Sequence, residues 1–202
     1  MLKKREIFEW VFICILLGVI YIGGWQAEVA GFLQRGILLT GILNPDHLPA
    51  DETRAGSYDF SLVNLDGQKL QPETLKNKVI FLNVWATWCA PCVAEMPGIH
   101  QLYQSVSRDE IVFVMVSVDD NTDKLRQFIK RKGYSFPVYL REKPLPEEYY
   151  TRSIPTTFVI SPQGKIVFQE EGMANYDTED FRQFLATYLH TSDTSSWDQT
   201  TF

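Results

Sequence analysis

The stretch that decides the fold is Lys78–Cys92, which reads KVIFLNVWATWCAPC. Its first part, Lys78–Trp85, is an almost unbroken apolar run, as expected for a central strand that is buried on both faces. From Cys92 onward, apolar residues recur at helical spacing as far as Val106, which predicts a helix. The stretch therefore predicts a strand, a short loop and a helix, with two cysteines where the helix begins.

Cys89 and Cys92 lie three residues apart at the N-terminus of this predicted helix. Free backbone N–H groups and the positive end of the helix dipole stabilise an anion there, so we expect the pKa of Cys89 to fall below the usual value of about 8.5. Cys92 lies one turn further on, within reach of Cys89 and suited to resolving a mixed disulfide. Pro91 fits the first helical turn. The pattern predicts a redox-active dithiol.

Two other uses of a cysteine pair stay open from the residues alone. A zinc site would need two further ligands, and the candidates, none paired at ligand spacing, are His47, His100, His190 and Cys14. A purely structural Cys89–Cys92 disulfide would stabilise little, because so short a loop constrains little of the unfolded chain. The redox interpretation is the one that uses both the spacing and the position of the pair.

The rest of the chain supplies the other elements of an α/β domain. Strands that alternate with helices give a parallel sheet segment with right-handed crossovers, so we expect a three-layer α/β/α sandwich of about 140 residues with an N-terminal β-hairpin. The predicted strands are 58–62 and 68–70 (the hairpin), 111–118, 136–140, 156–160 and 166–169, and the predicted helices are 121–132, 146–152 and 178–189.

Two segments together resemble a known superfamily. WATWCAPC at 85–92 follows the predicted strand, and SIPTTF at 153–158 places Pro155 66 residues after Cys89. Over residues 56–190 the chain resembles the thioredoxin superfamily, and within it the TlpA/ResA-like group of membrane-anchored, extracytoplasmic thiol–disulfide oxidoreductases. The resemblance implies a thioredoxin-like fold with a central insertion before Pro155, no cofactor and no metal.

The same resemblance assigns a substrate-binding surface. It implies that the peptide bond before Pro155 is cis, that this proline faces the two cysteines, and that the Ile154 backbone pairs with a substrate strand. Trp88 and Pro91 are assigned to the same surface, since they adjoin the cysteines in sequence.

Two further polar residues are candidates for handling protons. Asn83 lies six residues before Cys89, where thioredoxins have a buried Asp that accepts the proton of the second cysteine; Asn cannot ionise, so that role is absent or moved. Glu95 matches the Cys-x-x-Glu-x-Pro pattern of the TlpA/ResA-like group and lies on the same helix face as Cys92. A partly buried Glu95 would have a raised pKa and could relay the Cys92 proton as a third catalytic residue. An ordinary solvated glutamate is the alternative.

These features predict an enzyme that reduces protein disulfides, with attack by Cys89 and resolution by Cys92. By resemblance, its partners are disulfide-containing client proteins, apocytochrome c among them, and a membrane thiol donor that returns the electrons. A thiol peroxidase of related fold and a non-catalytic membrane-tethered binding module are the alternatives. The peroxidase pattern Pro-x-x-x-Thr-x-x-Cys is not met, because Thr87 lies only two residues before Cys89 and no proline precedes it.

The N-terminal residues 1–25 predict a signal anchor. Lys3, Lys4 and Arg5 precede the apolar run Val11–Ile22. A cleaved signal peptide or a buried helix would also explain this pattern. The positive-inside rule then places residues 26–202 outside the cytoplasm, facing the periplasm or the cell exterior from a bacterial inner membrane crossed once. Residues 26–55 predict an amphipathic segment, on the membrane or on the domain, followed by a linker, and 191–202 a flexible tail.

Composition agrees with one acidic domain plus an appendage. The chain has 202 residues, is 45% hydrophobic and carries a net charge of −6, yet its first 45 residues carry four basic and three acidic side chains. The acidic balance argues against a nucleic-acid partner, whose binding would need clustered Lys and Arg to displace counterions. The apolar content excludes a mainly disordered chain, and three cysteines are too few for a disulfide-stapled miniprotein.

Overall fold

The computed structural model describes residues 4–38, 40 and 53–190, so most of the predicted linker, with His47, and the predicted tail lie outside the described residues. The helices are α1 (Lys4–Ile22), α2 (Gln26–Leu38), α3 (Ala90–Ser105), α4 (Thr122–Lys132) and α5 (Glu179–His190). The strands are β1 (Arg54–Ala55), β2 (Leu62–Asn64), β3 (Val79–Trp85), β4 (Ile111–Ser117), β5 (Val138–Arg141), β6 (Thr156–Ile160) and β7 (Lys165–Glu171).

The strands form one mixed sheet in the order β1-β7-β6-β3-β4-β5-β2. Strand β3 lies at its centre, parallel to β4 on one side and antiparallel to β6 on the other, and every residue of β3 is buried. The predicted central strand is thus confirmed, and so is the helix that follows it. The carboxyl end of β3 leads directly into α3. The two cysteines therefore lie at the end of the sheet where the central parallel strands finish.

Helices α3, α4 and α5 all cover the same face of the sheet. Trp85 in β3 contacts Phe128 of α4, and Phe81, two pleats earlier on the same face, contacts Phe181 of α5. On α3, Tyr103 packs edge-on against Phe113 of β4. The order of the strands explains this, because β3, β4 and β5 advance in one direction across the sheet and two right-handed crossovers then put both connecting helices on one side.

The opposite face corrects the predicted three-layer α/β/α arrangement. In the described chain it is covered by irregular segments and by two single 3₁₀ turns at Pro72–Thr74 and Glu147–Tyr149, not by α-helices. Its core is nevertheless aromatic and closed, since Tyr149 packs against both Phe60 and Phe158. The fold is thioredoxin-like α/β with one helical layer. The segment between β4 and β6, where the central insertion is predicted, contains α4, β5 and the second 3₁₀ turn.

Two predicted N-terminal features differ in detail. The turn of the predicted hairpin forms, with the Gln68 amide donating to Asn64 Oδ1 at 2.8 Å, but the return strand is reduced to one bridge between Val63 and Lys69. Strand β2 instead pairs with β5, which offers a longer ladder. Arg54 and Ala55, predicted as linker, form β1 and pair with β7 at the other edge of the sheet.

The two N-terminal helices meet at a sharp bend. No helix of the described segments is by itself long and apolar enough to cross a membrane, although α1 and α2, bent by 105° at their junction, meet the same length and composition criterion as a pair. Helix α2 packs on the domain, where its Gly31 approaches the first turn of α3. Of the two placements predicted for this segment, packing on the domain is therefore confirmed for one of its faces.

Candidate active site

The two cysteines form a disulfide at the start of α3, with Cα atoms 5.3 Å apart. Cys89 is the N-cap residue of the helix, and its sulfur accepts a hydrogen bond from the Cys92 amide at 3.2 Å. That sulfur therefore already occupies the place where a helix N-terminus stabilises negative charge. Cys89 is 6% exposed and Cys92 is fully buried, so a partner reaches Cys89 first. Half-buried Pro91 lies in the first turn, as predicted.

The predicted cis-proline loop lies against the disulfide. The Ile154–Pro155 peptide bond is cis, and the Ile154 carbonyl oxygen lies 3.7 Å from the sulfur of Cys89. The loop is fastened on both sides: the Gly172 amide donates to the Pro155 carbonyl at 2.8 Å, and Thr156 Oγ1 donates to the Ser153 carbonyl at 2.8 Å. A backbone edge is thus presented beside the more accessible sulfur.

An open groove of about 460 Å³ adjoins this edge. It runs between Trp88, which is 63% exposed, and Ile154, and its far wall includes Tyr150. Arg141 and Arg152 contribute its charged side chains. The segment 144–150, next to the cis-proline loop in sequence, supplies much of the wall, so the structure brings together Trp88, Ile154 and Tyr150 around one groove.

Glu95 is buried, which overturns the alternative of an ordinary solvated glutamate. Its side chain is 2% exposed, its Oε1 accepts from Asn83 Nδ2 at 2.9 Å, and its Oε2 accepts from the Ala174 amide at 3.3 Å. Burial raises the pKa of Glu95 to about 8, and the two hydrogen bonds offset only part of that rise. A carboxyl that titrates near neutral pH one helical turn after Cys92 is suited to exchanging a proton.

Asn83 organises the polar centre beneath the dithiol. The same Nδ2 group that donates to Glu95 also donates to Thr157 Oγ1 on β6 at 2.9 Å. Asn83 thereby links β3, α3 and β6 at the position where thioredoxins have an acid. Asn83 cannot ionise, whereas Glu95, to which it donates, is a titratable group.

Asp119 is a residue that sequence reasoning missed. Its carboxylate accepts from the Thr87 amide at 2.9 Å and from Thr87 Oγ1 at 2.6 Å, and it also accepts from Ser117 Oγ at 2.7 Å. These bonds hold the loop that carries Trp88 and Cys89. Adjacent parallel strands have their carboxyl ends on the same side of the sheet. An acidic residue just after β4 was therefore the sequence signal that could have predicted this contact. The Thr87 hydroxyl is thus engaged by Asp119, which does not fit the peroxidase arrangement.

Comparison with known proteins gives a consistent family. Residues 56–169, more than half of the chain, match the family model described as the AhpC/TSA family. Among curated proteins, the thiol-disulfide oxidoreductase ResA of Bacillus subtilis is 34% identical over 146 residues, which cover 67% of this chain and 82% of that protein. A thiol-disulfide oxidoreductase ResA of Geobacillus thermodenitrificans is 33% identical, with coverage of 81% and 86%.

A solved structure agrees with these relatives. A thiol:disulfide interchange protein of the thioredoxin family from Chlorobium tepidum is 25% identical to this chain and superposes with a TM-score of 0.55, covering 73% of this chain and 97% of its own. The similarity thus extends over nearly the whole of that protein.

Proposed function

We propose that this chain, which belongs to the AhpC/TSA family and is a ResA-like thiol-disulfide oxidoreductase, reduces disulfides in other proteins outside the cytoplasm. The observation that carries the proposal is the placement of Cys89. Its sulfur caps α3, lies 3.7 Å from the Ile154 carbonyl and is the more accessible of the pair. An attacking thiolate and a docking edge for an extended client therefore occupy the same side of the site.

The reaction is a two-step disulfide exchange. In the reduced enzyme the Cys89 thiolate attacks one sulfur of the client disulfide, so that a mixed disulfide forms and the other client sulfur leaves as a thiolate that takes up a proton. The Cys92 thiolate then attacks the Cys89 sulfur and releases the second client thiol. Two electrons pass to the client, and the enzyme is left with the Cys89–Cys92 disulfide seen in the structure.

Glu95 handles the proton of the second step in this proposal. Cys92 is fully buried and must lose its proton to become a nucleophile, and Asn83 cannot accept it. Glu95 lies one turn further along α3, is buried itself, and has a pKa raised to about 8 by that burial. Because its affinity for a proton lies near that of a thiol, transfer in either direction costs little.

The client-binding surface in this proposal is the groove beside the disulfide. An extended client segment pairs with the Ile154 backbone, packs across Trp88 and passes Pro91 and Pro155 at the two sides of the sulfurs. The exposed ring of Trp88 supplies apolar contact area without a partner of its own in the described chain. Disulfide-containing apocytochrome c, whose haem-attachment segment is Cys-x-x-Cys-His, is the client class we propose.

The location we propose is the outer side of a bacterial inner membrane, with residues 1–25 as anchor. The support is the basic N-terminus followed by an apolar run, together with the exposure of the large apolar side chains of α1, among them Phe8, Trp10 and Phe12. That compartment is oxidising, so the enzyme needs a membrane-embedded thiol donor to regenerate its dithiol.

A reducing role predicts a low reduction potential. We expect the Cys89–Cys92 couple to lie far below the value of about −120 mV that is typical of the strong oxidant DsbA. The measurement equilibrates the Cys14→Ser protein, which retains only the active-site pair, with dithiothreitol redox buffers and counts free thiols by alkylation. A potential close to that of DsbA would instead make the protein an oxidant and contradict the proposed direction.

A further inference from the structure

Helix α2 has one face that is committed to the redox domain. A Cβ on Gly31 would lie 2.8 Å from the Ala90 carbonyl oxygen and 3.1 Å from the Val93 Cβ, so glycine is required for the two helices to approach this closely. Glu28 adds ion pairs to Arg131 and to Lys132 of α4, the latter at 2.6 Å. The inner face of α2 therefore packs against α3 between the two cysteines and forms ion pairs with α4.

The opposite face of α2 is apolar and uncovered. Its residues Val29, Phe32, Leu33 and Ile37 recur at helical spacing, and Phe32 and Leu33 are 77% and 70% exposed. Neither charged residue of the helix, Glu28 or Arg35, is among its exposed residues. A helix of this kind, with one side on protein and an uncharged apolar side outward, has the composition of an interfacial helix.

The junction with α1 sets the direction of the α2 axis. The two helices are joined by Gly23–Trp25, Gly24 adopts a φ of 69° that glycine tolerates, and the helix axes differ by 105°. If α1 runs along the membrane normal, α2 lies nearly in the plane of the membrane. Trp25, half exposed at the junction, would then lie at the depth where aromatic residues concentrate in membrane proteins.

We propose that α2 lies in the outer headgroup layer of a phospholipid bilayer and fastens the redox domain to it, with the face Val29–Phe32–Leu33–Ile37 in lipid. The inference rests on the proposed anchor and adds a second contact with the membrane. Because Gly31 touches Ala90, between Cys89 and Cys92, the dithiol is held at a fixed short distance from the bilayer surface. A membrane-embedded thiol donor then meets an enzyme that is already oriented.

The depth of two spin labels tests both membrane contacts separately. In full-length protein freed of its native cysteines and reconstituted in phosphatidylethanolamine–phosphatidylglycerol vesicles, labels are attached at Leu33→Cys in α2, Leu17→Cys in α1 and Gln163→Cys as an aqueous reference. We expect the Leu33 label to be several-fold more accessible to oxygen, relative to a water-soluble nickel chelate, than the Gln163 label. A lipid-exposed Leu17 label with an aqueous Leu33 label would overturn the inference and leave the anchor intact.

The other possible results of the spin-label experiment also distinguish the α2 contact from the anchor. A lipid-exposed Leu33 label with an aqueous Leu17 label supports α2 as an interfacial helix and contradicts the anchor. A Leu33 label shielded from both relaxants means that protein, and not lipid, covers this face, and overturns the inference. Aqueous labels at both positions overturn the inference and the anchor together.

A charge variant provides the matched control. With the label at Val29→Cys, the substitutions Phe32→Glu and Leu33→Glu are expected to move it from lipid to water. Gln68→Glu with Gln163→Glu adds the same two charges at exposed positions of the sheet domain and should leave the label in lipid. Retention of a lipid-exposed label in the α2 double variant would contradict the proposal. The same α2 substitutions made with both active-site cysteines present show by normal insulin reduction that the domain stays folded.

Discussion

Cys89→Ser is expected to lose protein-disulfide reduction by at least about a thousandfold, as happens when an enzyme loses its nucleophile. A serine hydroxyl is not ionised at neutral pH and cannot form a stable bond to a client sulfur, so the first step of the exchange disappears. Fully buried Cys92 does not replace it, because its sulfur lies behind Cys89 at the start of α3. The rate of insulin reduction with dithiothreitol, corrected for the uncatalysed rate, gives the comparison.

Two control variants make that result specific. Cys14→Ser removes the third cysteine, which lies in α1 away from the disulfide, and should leave the insulin rate unchanged. Cys92→Ser should lose turnover but keep the first step, which appears as a covalent adduct with the substrate. Substantial reductase activity in Cys89→Ser would mean that the protein works through another group.

Glu95→Gln is expected to remove a large pH dependence of stability. In the folded protein burial raises the pKa of Glu95 from 4.5 to about 8, so between these values the native state keeps a proton that the unfolded chain has lost. The free energy of unfolding of the oxidised protein should therefore be highest at low pH and fall as the pH rises through this window, by up to about 1.4 kcal/mol per pH unit from this residue. The neutral amide has no such proton to lose.

The measurement is the difference in unfolding free energy between the wild type and Glu95→Gln across pH 5 to 9, obtained from urea titrations. As the pH rises, the unfolding free energy of Glu95→Gln should increase relative to that of the wild type. Glu73→Gln, which removes a carboxyl from an exposed position, is the matched control and should show a constant difference. A constant difference for Glu95→Gln as well would mean that Glu95 is ionised at neutral pH and is no candidate for the relay.

The same variant should slow the second chemical step. Loss of a positioned proton acceptor typically costs about a hundredfold or more, so decay of the mixed disulfide should be slower in Glu95→Gln while its formation is nearly unchanged. The pH profile of that decay should lose its inflection near 8, a change that a merely structural role of Glu95 would not produce. Stopped-flow reduction followed by acid quenching separates the two steps.

The central part of the fold was predictable because its signals are local. An apolar run that is buried on both faces and a helix that begins at a cysteine are properties of neighbouring residues, and β3 and α3 formed where the sequence placed them. The cis bond at Pro155 was different: the dipeptide alone did not indicate it, and only the resemblance did.

What the sequence could not show depends on contacts between distant segments. Whether Glu95 is solvated or buried is decided by Asn83, twelve residues earlier, and by the Ala174 amide, which only the folded chain brings together. Asp119 binds Thr87 because β3 and β4 are neighbours in the sheet. The helix layer missing from one face likewise follows from the order of strands, which the hydrophobic pattern does not encode.

The central claim is that Cys89 attacks a client disulfide and Cys92 resolves the product, and the most direct test is to map the trapped intermediate. Cys92→Ser protein that also carries Cys14→Ser, reduced and mixed with an oxidised Cys-x-x-Cys-His peptide, is quenched with acid and digested for mass spectrometry, and the matched Cys89→Ser protein carries Cys14→Ser as well. We predict one mixed disulfide, between Cys89 and the peptide, and none in the matched Cys89→Ser protein. Equal adduct formation through Cys92 in Cys89→Ser, or no adduct in Cys92→Ser, would contradict the account.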